Sequence, residues 1–358
     1  MNRTNPETIT YREAVARIPD RSLPDFWVGD VEPLLTLLQT VKRGRVTQIA
    51  TTPGGRPLHT VAYGERELIV RRANFNSAVG GKDPTAYADR ATRTRPVLLL
   101  VGPVHGHEVE GLTGLANLIQ VMETGADLRG KPQPELRELG DACRLVIIPS
   151  GNPDGTSRFE PRSLQGMTLT DIRFWGQGTW ADDTLCGYPE CKRQHPMRGS
   201  NVGFLGCYFN DAGINPMHDE WFAPMSEEAP AILRVAREEA PDLVAVLHSH
   251  RTPPAVLRPA YMPLEIQEAV AALAARTYAR YDALGIDHHP GFEPQPEKGD
   301  HPAPFNLTSA LYHTSGAPTF TFECSHGVRE EDAYTVDLEG ILEIQLALYR
   351  SMMAHVLA

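Results

Sequence analysis

The sequence predicts an α/β fold in which a mostly parallel or mixed sheet carries helices on both faces. Short apolar runs without alternation, such as Val97–Val101, are typical of strands that are covered on both faces. Longer segments with apolar residues three and four positions apart are typical of amphipathic helices. The two kinds of segment alternate along the chain, and this alternation favours an α/β architecture.

The N-terminal part begins with a helix and a group of strands. Asp30 precedes a helical pattern that continues to Val41, and it is a suitable N-cap because its side chain can accept a hydrogen bond from a free backbone N–H. Strand patterns follow at about 45–51, 57–63 and 67–71. We therefore expect residues 1–44 to form an N-terminal extension and helix, and residues 45–358 to form the main domain.

The rest of the chain alternates between buried strands and amphipathic helices. Strands are predicted at 97–101, 144–148, 243–247 and 319–322, and helices at about 107–124, 226–240, 263–284 and 337–356. The segments at about 155–225 and 286–305 show little pattern. Loops of this length in a compact domain are often lids or walls of a site, although they can also be surface excursions.

Charge and composition argue against several classes of protein. The 358 residues include 34 Lys and Arg against 45 Asp and Glu, a net charge of −11, so binding to nucleic acid or to an anionic membrane is not expected. The longest apolar run, residues 96–104, is far shorter than the roughly 18–20 residues of a membrane span. The N-terminus lacks the apolar segment of a secretory signal, which makes a cytoplasmic location the expectation.

The cysteines do not indicate a disulfide framework, because they are few and odd in number: Cys143, Cys186, Cys191, Cys207 and Cys324. A structural zinc cluster of Cys186 and Cys191 with His195 and Cys207 is conceivable. Its C-x4-C spacing is looser than that of usual zinc sites, so ordinary thiols in a long loop are the favoured interpretation.

Polar side chains follow two of the predicted strands. His105 and Glu108 come after strand 97–101 in an H-x-x-E spacing that a helical turn can bring to one side, and His248 comes after strand 243–247. Ligands of open α/β sheets bind beyond the carboxyl ends of the strands, so we expect these three side chains to meet. Two histidines and one carboxylate can hold Zn²⁺ and leave a position for water. For any one of these histidines, a structural hydrogen-bonded role is the alternative.

A fourth polar residue, Glu323, ends the apolar strand pattern 319–322. A carboxylate in such a stretch is costly unless it serves a charge or a proton. Glu323 is therefore a candidate general base for a metal-bound water.

These motifs, in this order, resemble those of the zinc carboxypeptidase family. His105-Gly-His-Glu108 resembles its metal motif, and Asn152-Pro-Asp-Gly155 resembles its N-P-D-G turn. Residues 242–249 are similar to the segment with the third ligand, and residues 320–323 are similar to the strand with the catalytic Glu. The resemblance extends from about residue 45 to the C-terminus. It implies an α/β/α sandwich around a mixed sheet of about eight strands, one zinc ion per chain and hydrolysis of amide bonds.

The mechanism that this resemblance implies is metal-assisted hydrolysis. Zinc lowers the pKa of its bound water towards about 7 and polarises the scissile carbonyl, and Glu323 moves the proton from water to the leaving nitrogen. The oxyanion needs a further cationic or hydrogen-bonding partner. Arg198 is best placed for this role by comparison with the family, with Arg158, Arg162 and Arg173 as alternatives.

The segment from Gly206 to Asp211 departs from the family pattern G-x-D-x-N-R. Asn210 is retained, but Asp211 stands where the family has an Arg that holds the substrate carboxylate, and Tyr208 stands where it has an Asp. Because an Asp repels a carboxylate, we expect the leaving portion of the substrate to lack a free α-carboxylate or to carry a cation. A misaligned, shortened loop is the alternative. The candidate substrate-binding residues are Asn210, Asp211 and His250; His250 and His107 could equally be structural.

The leading interpretation is a zinc-dependent metallopeptidase, a carboxypeptidase-like amidohydrolase of peptides. A deacylase or amidase of a small N-acyl or amide metabolite is the alternative enzyme, and an inactive zinc-binding scaffold is the alternative of another class. A cysteine hydrolase that uses Cys324 near His326 is disfavoured, because a buried thiol at a strand end is usually inert. The sequence leaves the oligomeric state open.

Overall fold

The computed structural model describes residues 7–297, 304–330 and 333–358. The strands in these ranges are β1 (Arg45–Thr51), β2 (Pro57–Tyr63), β3 (Val97–Val101), β4 (Arg144–Ile148), β5 (Gly178–Trp180), β6 (Val202–Leu205), β7 (Leu243–His250), β8 (Ala255–Val256) and β9 (Thr319–Ser325). The helices are α1 (Tyr11–Ala16), α2 (Val31–Gln39), α3 (Phe75–Gly80), α4 (Val109–Thr124), α5 (Pro134–Ala142), α6 (Pro153–Arg158), α7 (Leu169–Ile172), α8 (Glu228–Glu239), α9 (Leu264–Leu284), α10 (Leu307–Ser315) and α11 (Leu338–Val356).

A mixed sheet of seven strands, in the order β1-β2-β4-β3-β7-β9-β8, forms the centre. The four inner strands β4, β3, β7 and β9 are parallel, whereas β1, β2 and β8 pair antiparallel to their neighbours. After β3 the chain passes through α4 and α5 to β4 on one side, and it later returns through α8 to β7 on the other side. The strand order therefore reverses between β3 and β7, the position at which such sheets bind ligands.

Helices cover both faces of the sheet, as predicted. Leu98 and Leu100 of β3 pack in a large core with α4, α9 and α11, whereas Leu99 and Val101 pack in a second core with α8 and α10. Successive side chains of a strand point to opposite faces, so both faces of β3 are buried and its residues are all apolar. The α/β/α sandwich is confirmed, with seven strands where about eight were expected.

Most predicted elements coincide with observed ones, and two strands are longer than predicted. Strands β7 and β9 continue through His250 and Ser325, so His248 and Glu323 lie within paired strands rather than after them. Asp30 caps α2 as predicted, and its carboxylate accepts the N–H of Val31 at 2.7 Å.

The predicted strand at 67–71 is wrong. No strand forms there, and the side chains of Leu68 and Val70 are 95% and 83% exposed. An isolated apolar stretch that has no neighbouring strand cannot satisfy its backbone groups by sheet pairing.

The two segments predicted as long loops differ in the structure. The segment at 155–225 is built from α7, a π-helical turn at Arg173–Gln177 and the hairpin of β5 and β6. In the segment at 286–305, the described residues 286–297 and 304–305 form no helix or strand, and residues 298–303 lie outside the described ranges.

The segment that precedes α2 contacts the main domain through Trp27 and Val28. The indole nitrogen of Trp27 donates to the carbonyl of Arg162 at 2.7 Å, and the N–H of Val28 donates to Oγ1 of Thr113 in α4 at 3.1 Å. The division of the chain into an N-terminal extension at residues 1–44 and a main domain at residues 45–358 stays a prediction. Over the ranges that the structure describes, every helix is too short or too polar to cross a membrane.

Candidate active site

The three predicted metal ligands meet at the carboxyl end of the central strands. His105 lies in the turn after β3, Glu108 is the N-cap residue of α4, and His248 lies in β7, the strand next to β3. Nδ1 of His105 is 2.9 Å from Oε1 of Glu108, and Nδ1 of His248 is 2.8 Å from Oε2 of the same carboxylate. All three side chains are buried.

The turn that carries His105 is held by the N-P-D-G turn. Nδ2 of Asn152 donates to the carbonyl of Val104 at 3.1 Å, and the Asn152 side chain also caps α6 by accepting the N–H of Gly155 at 2.9 Å. Gly106 is required there, because a Cβ atom at this position would lie 2.1 Å from the backbone of Gly155. The N-P-D-G motif thus fixes the turn that carries the predicted ligand His105.

The electrostatics of this cluster favour an ionised carboxylate. Burial acts to raise the pKa of Glu108, but the two imidazoles overcome burial and hold that pKa well below its usual value. Burial lowers the pKa of His105 and favours its neutral form, whereas at His248 burial is outweighed by the charge and the hydrogen bond of Glu108, which raise the pKa. Neutral imidazole and ionised carboxylate are the forms that bind a metal ion.

The donor set fits a zinc ion. One ligand atom from each of His105, Glu108 and His248 lies within 4.8 Å of the others, and this is the only cluster of three or more such residues found in the described ranges. The Nε2 atoms of both histidines are buried and have no hydrogen-bond partner among the described residues. Two imidazoles and a carboxylate are a set that binds catalytic zinc with a position left open.

Glu323 lies beside this cluster on the adjacent strand. In the parallel pairing of β7 and β9, Glu323 is in register with His248. Its side chain is half-buried, and burial, together with the charge of Glu108, raises its pKa to about 7. A carboxylate with such a pKa can both take up and release a proton near neutral pH.

The comparisons with known proteins agree with this arrangement. The family model "Zinc carboxypeptidase" (Peptidase_M14) matches residues 36–252, more than half of the chain. This chain belongs to the zinc carboxypeptidase family. No curated protein matches its sequence.

Solved structures of carboxypeptidases share the fold of this family member. A metallo-carboxypeptidase from Burkholderia cenocepacia is 17% identical with a TM-score of 0.51, and the match covers 91% of this chain and 68% of that chain. The metallo-carboxypeptidase from Pseudomonas aeruginosa, solved with (2-guanidinoethylmercapto)succinic acid, is 16% identical with a TM-score of 0.50 and the same coverage. Carboxypeptidase A from Helicoverpa armigera is 12% identical with a TM-score of 0.51, over 96% and 76% of the two chains.

Tyr208 stacks on one of the predicted metal ligands. Its ring stacks on His105, with centroids 3.9 Å apart and planes 15° apart. The sequence identified Tyr208 only as the residue that replaces the family's Asp, because a stacking contact between residues so far apart leaves no local pattern. The aromatic face restricts the orientation of the imidazole, as a hydrogen-bonded Asp would.

Lys192 and His218 form a polar pair that the sequence did not reveal. Nζ of Lys192 is 2.9 Å from Nε2 of His218. The chain between Lys192 and His218 also carries Tyr208, whose ring stacks on His105. The sequence of residues 181–201 does not predict the contact between Lys192 and His218, because a lysine in a polar loop is usually a solvated charge.

Asp211 does not present a free charge. Its carboxylate pairs with Nη1 of Arg56 at 3.0 Å and also contacts Arg158. Arg56 in turn pairs with the buried carboxylate of Asp154 at 2.9 Å. The repulsive Asp that the sequence suggested is therefore neutralised, and its contact with substrate stays a prediction.

Asn210 and His250 also have partners within the protein. Asn210 is fully buried, and its Nδ2 donates to Oε2 of Glu228 at 3.0 Å. Nε2 of His250 is 2.8 Å from the carbonyl of Pro253, and burial lowers the pKa of His250 to about 4. This geometry favours structural roles for both residues, and substrate contact stays a prediction.

Arg198 is exposed, and no hydrogen bond or ion pair of its side chain is found among the described residues. The structure does not join it to the metal cluster by any described contact, so its catalytic role stays a prediction. The alternative arginines form ion pairs elsewhere: Arg158 with Asp211, Arg162 with Asp30 and Arg173 with Glu7.

His107 is buried, and burial lowers its pKa to about 3.

Proposed function

We propose that this protein is a zinc-dependent carboxypeptidase-like hydrolase that removes the C-terminal residue of a peptide or of a related N-acyl amino acid. One zinc ion per chain is held by His105, Glu108 and His248. The observation that carries the proposal is the convergence of these three side chains next to Glu323, in register with His248.

A zinc ion in this site supplies a Lewis acid that polarises the scissile carbonyl and lowers the pKa of water. Glu323 accepts the proton of the attacking water and delivers it to the leaving nitrogen. The raised pKa of Glu323, about 7, suits both transfers near neutral pH. Tyr208 keeps the ring of His105 in one orientation by stacking, so that the ligand geometry is fixed before substrate binds.

The amidase alternative has less support from Asp211 than the sequence suggested. It rested on an Asp211 charge that would repel a substrate carboxylate, and Arg56 and Arg158 neutralise that charge. The cysteine hydrolase also has little support, since burial raises the pKa of Cys324 well above its usual value and keeps it a thiol.

The test is cleavage by the zinc-loaded protein, followed by mass spectrometry, of peptides and N-acyl amino acids with free or amidated C-termini. We expect release of the last residue from the free carboxylates, and no release by the Glu323→Gln variant. Cleavage of amidated substrates alone would favour the amidase. Zinc binding without cleavage of any substrate would favour the inactive scaffold.

A further inference from the structure

A pocket of about 250 Å³ is lined by Cys191, Lys192, His195, Phe209, Asn215 and His218. One of its wall residues, Phe209, directly follows Tyr208, whose ring stacks on His105. The pocket is smaller than the roughly 300–1,000 Å³ of sites for drug-sized ligands, so its size suits a group no larger than one amino acid.

Lys192 is held in this pocket by uncharged partners. Its Nζ is 2.9 Å from Nε2 of His218 and 4.7 Å from the centre of the Tyr188 ring. Within the ranges that the structure describes, no carboxylate lies within ion-pair distance of it. By contrast, Arg56 and Arg158 near Asp211 are both paired with acidic groups.

The partners of Lys192 leave hydrogen-bond donors free. An ammonium group has three N–H donors and no acceptor, so Nε2 of His218 accepts one of them and the proton of the neutral imidazole is on Nδ1. Burial, with the charge of Lys192, lowers the pKa of His218 to about 2, in agreement with a neutral ring. His195 adds polarity to the wall, and its Nε2 accepts the N–H of Asn215 at 2.8 Å.

We propose that Lys192 binds the free carboxylate of the substrate's C-terminal residue and that His218 positions the ammonium group for it. The inference rests on the proposed hydrolase function. It gives the substrate class as peptides or N-acyl amino acids with an unblocked carboxylate. A lysine from a different segment thus supplies the positive charge that Asp211 cannot supply.

The test compares one substrate carrying a free C-terminal carboxylate with the same substrate carrying a carboxamide. In the wild type we expect a preference for the carboxylate. Lys192→Met should lower kcat/KM for the carboxylate about 10- to 100-fold, mainly through KM, the effect of one hydrogen bond to a charged group. The carboxamide should change less than about 3-fold, below the cost of one such bond. Arg193→Met is the matched control, because Arg193 is a neighbouring cation whose side chain is 78% exposed.

His218→Gln should reduce the preference for the carboxylate in the same direction but by less than Lys192→Met, without changing zinc content. Equal losses on both substrates in Lys192→Met would overturn the proposal, because they would mean that Lys192 serves the reaction centre or the fold. An unchanged preference would overturn it as well.

A binding experiment separates this inference from the hydrolase proposal. Calorimetric titration of zinc-loaded Glu323→Gln with N-acetyl-phenylalanine and with its amide measures recognition without turnover. We expect tighter binding of the carboxylate and loss of that difference when Lys192→Met is added. Such a result would support carboxylate recognition even if the wild type cleaved nothing. Equal binding of the two ligands by Glu323→Gln would overturn the inference even if the wild type were an active hydrolase.

Discussion

Replacement of Asp154 by asparagine, which has almost the same shape, is expected to destabilise the protein strongly. Asp154 is fully buried, and each of its carboxylate oxygens accepts two hydrogen bonds. Oγ1 of Thr52 and Nη1 of Arg56 donate to Oδ1 at 2.5 and 2.9 Å, and the N–H groups of Gly54 and Asp211 donate to Oδ2, both at 3.0 Å. Asparagine has an NH₂ group in place of one of these two oxygens. In either orientation of the amide, the two donors that faced the replaced oxygen then face an NH₂ donor and lose their hydrogen bonds.

The magnitude follows from these contacts. Two lost hydrogen bonds to a charged acceptor are worth about 1.5–3 kcal/mol each. Loss of one member of a buried charge pair costs about 3–5 kcal/mol in total, and this is the value that we expect. With an unfolding entropy of about 2.1 cal/mol/K per residue, the 358 residues give about 0.75 kcal/mol/K. The Asp154→Asn variant should therefore unfold about 4–7 °C below the wild type.

Scanning calorimetry of both proteins at neutral pH measures this difference. Asp182→Asn is the matched control, because Asp182 is an exposed carboxylate whose hydrogen bonds, among them the N–H of Thr184 at 3.1 Å, are all local. A surface change of this kind is expected to stay within about 0.5 kcal/mol. A melting temperature of Asp154→Asn within 1 °C of the wild type, like that of the control, would refute the assigned hydrogen bonds.

The other predictions concern the metal, the base and the pH dependence of stability. His105→Ala and His248→Ala should each lose the zinc that the wild type retains after dialysis, measured by atomic emission; full retention by either would remove that residue from the ligand set. Glu323→Gln should keep zinc and lose about 10²- to 10⁴-fold in kcat; near-normal turnover would exclude it as the base. Burial raises the pKa of Glu228 from 4.5 to about 7, so the folded state holds this proton more tightly than the unfolded state, and stability should fall as pH rises between these values. Urea titrations at pH 5 and pH 8 measure this fall in the free energy of unfolding. The fall should be smaller in Glu228→Gln, and it should be unchanged in Glu227→Gln, a variant of the exposed neighbour. The same fall in Glu228→Gln as in the wild type would contradict the effect of burial.

The sequence by itself predicted the elements that depend on local pattern. A strand with one face in solvent alternates apolar and polar residues, whereas the run at 97–101 is apolar throughout. This run is therefore typical of a strand that is buried on both faces. The H-x-x-E spacing of His105 and Glu108, together with the strand positions of His248 and Glu323, predicted which side chains meet. His105, Glu108 and His248 do meet in the structure, and Glu323 lies in register with His248, because parallel strands bring their carboxyl ends to the same edge of the sheet.

The segment at 67–71 shows where local pattern is insufficient. Its apolar residues suit a strand, but a strand also needs a neighbour with free backbone groups, and none of the described strands pairs with it. Strand pairing depends on the assembled sheet, so it cannot be recognised from the sequence of the segment alone.

Only the tertiary structure decided the charge and shape of the substrate side of the site. Whether Asp211 repels a carboxylate depends on Arg56, 155 positions earlier in the chain. Likewise, the position of the Lys192 ammonium group depends on His218, 26 positions later, whose Nε2 accepts a hydrogen bond from it. The physical reason is that strand and helix patterns arise from neighbours in sequence, whereas the net charge of a pocket is a sum over side chains that only folding brings together.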